Sequence, residues 1–162
     1  MTWRITNTNA VANQAIATTS TTKNHPLGTV VTAVDETLGV GEFIYLKGVA
    51  STIVGSGVNY DDSFQTALET TTLSKARPNA VAMSANLATG YGWYQIGGIA
   101  VVAKAAATSF AKGAGLAAAS GLAIAAASGL QISGAFVAAV ASAKSDVTTV
   151  KIMVDRPVGP RN

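Results

Sequence analysis

At 162 residues with 49% apolar side chains, the chain has the size of one domain and ample material for a packed core, which excludes an intrinsically disordered segment. Only 12% of residues are charged and 6% aromatic, so Ala, Gly, Thr and Ser make up much of a surface that repels other copies weakly and is expected to be covered by other chains. Without cysteine there are no disulfides, thiolate metal sites or thiol nucleophiles; one histidine rules out binuclear zinc, and the +3 net charge has no clustered basic stripe for nucleic acid.

Residues 1–25 are a polar lead of Thr, Asn and Ala, read as a flexible arm. Its first residues, MTWRITNTNAVANQ, lack the apolar run of a secretory leader, so the mature chain is expected to start here. Trp3 and Ile5 alternate across Arg4, and a tryptophan in such a lead is either an anchor into a partner's groove or a loose end. His25 precedes Pro26 and reads as a turn residue.

From Leu27 the character changes. GTVVTAV at 28–34 and EFIYLKGVAS at 42–51 are rich in β-branched and aromatic residues, and the acidic, Gly-containing DETLGVG between them predicts a hairpin with a longer loop. Alternation puts Phe43, Tyr45 and Lys47 on one face and Ile44, Leu46 and Gly48 on the other. A turn follows at Gly55-Ser56-Gly57. Residues 58–77 read as extended and irregular, because Thr66, Thr70, Thr71 and Thr72 oppose helix, with room for one helical turn begun at Asp61 or Asp62.

YGWYQIGGIAVV, from Tyr91, is the strongest strand pattern. Tyr91, Trp93, Gln95, Gly97, Ile99 and Val101 are expected on one face and Gly92, Tyr94, Ile96, Gly98, Ala100 and Val102 on the other, with a bulge or bend at Gly97-Gly98. Residues 113–143 carry no charge and are long enough to cross a bilayer, yet they are Ala, Gly and Ser with few large apolar residues, so no membrane span is expected. The repeat LAAASG (116–121) and LAIAAASG (122–129) would sum to a helix on propensity alone. Its recurrent Ser-Gly, with each glycine costing about 1 kcal/mol in a helix, predicts short strands joined by tight turns. A last hairpin is predicted from 133–143, a turn at Lys144-Ser145-Asp146 and 147–154. Val150, Ile152 and Val154 share one of its faces, and 156–162 form an extended tail. The fold class is therefore mainly β: a compact β-barrel or β-sandwich of short Ala/Gly/Val-rich antiparallel strands at 26–155, with an arm at 1–25 and a tail at 156–162.

No catalytic, cofactor or metal site is expected. There is no Gly-x-Ser-x-Gly elbow and no Gly-Lys-Ser/Thr phosphate loop; Asp35-Glu36 and Asp61-Asp62 read as solvated turn acids, and Lys104 and Lys112 as solubilising charges. Tyr91, Trp93 and Tyr94 suit a carbohydrate platform, core packing or a subunit contact.

The segments LGTVVTAVDETLGVGEFIYLKG, ATGYGWYQIGGIAVV, AGLAAASG and ISGAFVAA, with a β-rich end running into Arg-Pro, resemble the small capsid decoration, or cement, proteins of tailed bacteriophages over 27–154. The resemblance implies a β domain on the outer surface of a virion head, made in the host cytoplasm. It implies the major capsid protein as partner, self-association as a homotrimer, and no nucleic acid or membrane contact. The expected contact residues are Trp3 and Arg4 in the arm, Tyr91, Trp93 and Tyr94 on the strand, and Arg156 and Arg161 in the tail. The alternative is a receptor- or carbohydrate-binding module of a tail fibre or surface protein.

Overall fold

A computed structural model describes residues 2–6, 14–71, 77–127, 130–141 and 148–159. Among these there are twelve strands and no helix: β1 (Arg4–Ile5), β2 (Thr19–Ser20), β3 (Val30–Asp35), β4 (Gly39–Lys47), β5 (Gly57–Tyr60), β6 (Thr66–Leu68), β7 (Asn79–Ala82), β8 (Tyr91–Ala103), β9 (Leu116–Ala119), β10 (Leu122–Ala125), β11 (Ser133–Val137) and β12 (Thr149–Val158). Ten form one antiparallel sheet with the path β1-β3-β4-β8-β7-β5-β6; β2 and β12 also pair with β8, and β11 lies beyond β12. The β9–β10 hairpin is a separate two-stranded sheet. The fold is thus all-β, as expected. The barrel alternative is corrected, because β1 and β6 at the two ends of the path do not pair and the sheet stays open and sandwich-like.

The β3–β4 hairpin is tighter than its sequence suggests, with register running from Val30↔Ile44 to Asp35↔Gly39. Asp35 closes the short loop: its Oδ1 accepts the backbone N–H groups of Thr37 at 2.9 Å and Leu38 at 3.1 Å. The β4 alternation holds. Phe43 and Tyr45 enter a cluster with Ile16, Val31, Ala33 and Trp93, while Ile44 and Leu46 enter another with Val58, Ala80, Ala82, Tyr94 and Ile96. A strand covered on both faces must be apolar on both, which is why EFIYL shows no clean polar phase.

β8 bends where its glycines predicted. Phe43 pairs with Gln95 and Glu42 with Gly97, so Ile96 is an extra residue on β8. The single alternation expected along β8 is therefore corrected: before the bulge an odd position, Gln95, stands opposite Phe43, and after it an odd position, Gly97, stands opposite Glu42 on the other side of β4. Gly98 has φ +89°, and a Cβ there would lie 2.3 Å from the Val40 carbonyl oxygen. Buried Gln95 braces the bend, its Nε2 donating to the carbonyls of Gly97 and Ile99 at 3.0 Å each.

Past the bend β8 pairs with β12, and Ala100, Val102, Val150, Ile152 and Val154 turn inward with Ala135 and Val137 of β11. Leu116, Ala118 and Ala123 of the small hairpin complete this cluster. Small side chains let the layers approach closely, leaving a cavity of about 30 Å³. Ser120 (φ 49°) and Gly121 (φ 77°) form the predicted two-residue turn of the β9–β10 hairpin, with both residues at positive φ as a type I′ turn requires. Ser128-Gly129 lies outside the described residues. Ser133-Gly134 is not a turn but starts β11, at a register irregularity opposite β12. No helix among the described residues is long and apolar enough to cross a membrane.

The reading of 1–25 as a flexible arm is corrected for 2–6 and 14–25. β1 pairs with β3, β2 pairs with the start of β8, and Gln14, Ile16 and His25 are buried against the sheet; the polar composition hid this because backbone and amide bonds do much of the holding. The tail reading is corrected for 156–159, since β12 continues to Val158 and the Gly159 N–H donates to the Arg77 carbonyl at 2.9 Å; 160–162 lie outside the described residues. In the region 58–77, β5 and β6 account for the expected extended structure. The 144–146 turn lies outside the described residues.

Candidate interaction surface

Two of the expected contact residues are sealed inside. Trp93 and Tyr94 are both 0% exposed, which corrects their assignment to an interface, and the reason is that β8 is covered on both faces. Trp93 lies 5.0 Å edge-on from Tyr45 and 5.1 Å from His25, which sits at a bend, in keeping with the turn reading, and is buried there. Residues 14–25 form the lid. Trp93 Nε1 donates to the Gln14 carbonyl at 3.0 Å, and Gln14 Nε2 donates to the carbonyls of Thr18 and Tyr91. Tyr94 points the other way, where its hydroxyl accepts from Asn86 Nδ2 at 2.8 Å and burial pushes its phenol pKa up. Tyr91 stays half-buried, stacked 6.4 Å from Tyr45.

The polar groups read as solvated also differ. Asp35 is buried and accepts the Thr2 N–H at 2.9 Å besides its loop bonds, so backbone donors hold its carboxyl below the usual range. Asp61 accepts from the Ser63 hydroxyl and from the N–H groups of Ser63 and Gln65, which lowers its pKa likewise. Lys104, just past the end of β8 in an isolated bridge to Ala123, is buried, and its Nζ has no hydrogen-bond partner among the described residues; Lys112 is exposed as expected. Glu36 and Asp62 are exposed.

Trp3 is half-buried, packed edge-on against Phe43 at 4.9 Å, while Arg4 is exposed on β1. Arg161 lies outside the described residues. Arg156 is the expected residue that the fold presents most directly. Between the pairs Ala135↔Val154 and Ser133↔Val158, one residue of β11 stands against Asp155, Arg156 and Pro157, and this bulge sets Arg156 at φ 42°. Its Nη2 meets Glu42 Oε2 at 3.0 Å in an ion pair whose side chains are 64% and 40% exposed.

Beside that pair runs a partly open apolar sheet face, on which Ile99 and Met153 are half-buried and Phe136 is exposed. Ile99 pairs with Met153 and Met153 with Phe136, so the three form one cross-strand row. Phe136 is 46% exposed, Val40 63% and Val140 75%. A groove of about 510 Å³ lies among Val40, Glu42, Phe136, Met153 and Arg156, and a second of about 510 Å³ among Val101, Val140, Thr149 and Lys151. The sequence had flagged only Arg156 here. The signal was present in Val147-to-Val154 alternation, which set Lys151 and Met153 apart from the core-facing positions, but nothing local tells which face a distant segment leaves open.

Compared with protein-family models, with curated proteins and with solved structures, the chain matches none.

Proposed function

We propose that this protein is a structural virion protein that binds the outside of a phage head and cements contacts between capsomers. The observation that carries the reading is the partly open apolar face of β8, β12 and β11, a row of Ile99, Met153 and Phe136 edged by Glu42, Arg156 and Lys151. It sits on a hydrogen-bonded sheet rather than on loops, so docking costs little ordering entropy. The resemblance of 27–154 to cement proteins supplies the kind of partner. The major capsid protein would cover the apolar row and offer carboxylates to Arg156 and Lys151, and a homotrimer would set three such faces over one seam. Each copy then contributes modest free energy, and many copies together resist the outward pressure of packaged DNA. The outer capsid surface is the corresponding location. A glycan platform on Tyr91, Trp93 and Tyr94 is not favoured, because two of the three rings are sealed in the core.

The test is co-sedimentation of the purified protein with DNA-free heads. Phe136→Asp and Val140→Asp, both on the open face, are expected to reduce occupancy at least tenfold while leaving the melting temperature unchanged. Full occupancy by both variants overturns the reading.

A further inference from the structure

The lid formed by residues 14–25 is fastened at two points of different chemistry. At its start Gln14 is held by neutral hydrogen bonds to Tyr45, Tyr91, Trp93 and Asn24. At its end His25 packs against both Tyr45 and Trp93, with ring centroids 5.0 and 5.1 Å away, and its buried Nε2 has no hydrogen-bond partner among the described residues. A neutral imidazole tolerates that position, since the cost is one lost acceptor bond. An imidazolium does not, because its second N–H would be a charged donor without an acceptor.

We propose that His25 is an acid-sensitive latch: protonation of its ring releases residues 14–25 from the sheet and bares the aromatic face of Phe43, Tyr45 and Trp93. Among the described residues, the titratable group packed against the ring is the phenol of Tyr45 on β4, whose pKa burial raises so that it is neutral in this range; Tyr91 on β8 stacks on Tyr45. On the lid itself Lys23 is exposed and two residues away. No carboxylate stands among these groups to compensate the imidazolium. Burial accordingly lowers the pKa of His25 below its usual 6.5. The lid is therefore fully latched above pH 6.5 and loosens as the pH falls through the lower value of the folded protein.

His25 is the sole histidine, so one imidazole resonance reports the titration. The full chain is titrated by NMR from pH 8 to 4.5, with amide exchange followed in parallel and corrected for its intrinsic pH dependence. The expected result is a midpoint below 6.5, with amides of 14–25 losing at least tenfold protection through it while amides of 93–102 keep theirs. His25→Phe is expected to keep the lid protected at every pH, and His25→Gln serves if the phenylalanine variant does not fold. A midpoint at or above 6.5, which attraction of the cation to the flanking rings would produce, overturns the proposal. So does parallel loss of protection in 93–102, or an unaltered pH response in the variant.

Discussion

The hydroxyl of Tyr45 donates to the side-chain oxygen of Gln14 at 2.7 Å and accepts the Asn24 N–H at 3.3 Å, so one phenol on a central strand ties down both ends of the polar segment that crosses it. Asn24 Nδ2 shares the same Gln14 oxygen at 3.0 Å. Gln14→Ala leaves the buried Tyr45 hydroxyl and the half-buried Asn24 amide without their shared acceptor and is expected to cost about 2–4 kcal/mol. Tyr45→Phe removes a donor and an acceptor from the same network and is expected to cost about 1–2 kcal/mol. Urea unfolding of both variants checks the order; equal costs would mean that the amide is not the hub.

Gly98→Ala is the most damaging conservative change available in β8. The new methyl would lie 2.3 Å from the Val40 carbonyl oxygen at φ +89°, a conformation L residues avoid. A loss of about 2–4 kcal/mol is expected from strain and overlap together. Differential scanning calorimetry reads it as a lower midpoint; an unshifted midpoint would show that the bend relaxes without cost.

Ser120→Asn should stabilise the protein. Ser120 is at φ 49° in a type I′ turn, where asparagine before glycine is preferred, and a gain of about 0.5 kcal/mol is expected. Thermal unfolding of this variant beside Gly121→Ala, which is expected to destabilise because its Cβ would come 2.9 Å from Leu68 Cδ2 at φ 77°, tests both halves of the turn.

The Arg156–Glu42 pair is exposed on both sides and is expected to show a coupling of only about 0.2–1 kcal/mol in a double-mutant cycle, falling toward zero in about 1 M salt. A larger, salt-resistant coupling would mean that the pair is shielded from solvent.

Asp35 contributes to the acid limb of stability. Three backbone N–H groups favour its carboxylate in the folded state, so its contribution is present above the ordinary carboxylate pKa and is lost as the pH falls through the lower folded value. Asp35→Asn is therefore expected to be less stable at neutral pH and to lose part of the steepening of unfolding below about pH 4. Denaturation midpoints from pH 2 to 7 check the sign.

Much of the fold was legible because alternation is a local property. Phe43 and Tyr45 against Ile44 and Leu46, and Val150, Ile152 and Val154 against Lys151, could be assigned from the chain alone, and the Ser120-Gly121 turn followed from its two residue types. What escaped depended on partners far away in sequence. A segment of Gln, Thr and Asn shows no apolar phase, yet it is pinned by Tyr45 and Trp93, so neither its burial nor that of His25 could be read from its own residues. The parity of Ile99 and Val101 was lost for another reason: one extra residue at Ile96 reverses which positions face the core, and composition marks the bend but not its phase. Phe136, in an Ala-rich stretch, carried no local sign of which side it takes, and only the register places it beside Met153 on the open side.

β8 pairs with β2 through Thr19↔Gly92, with β4 through Tyr45↔Trp93, with β7 through Val81↔Gln95 and with β12 through Thr149↔Ala103. Three of its four neighbours leave the ribosome before it does, and the fourth leaves only near the end of translation. Until residue 103 has emerged, the nascent chain holds strands that lack their common partner, and the β12 half of the sheet waits nearly fifty residues longer. A chain wired in this way has high contact order and folds slowly, after synthesis and as a unit. Its early strands are edges in need of protection during that interval, so the yield of native protein in a producing cell is set by how fast Tyr91–Ala103 finds its place.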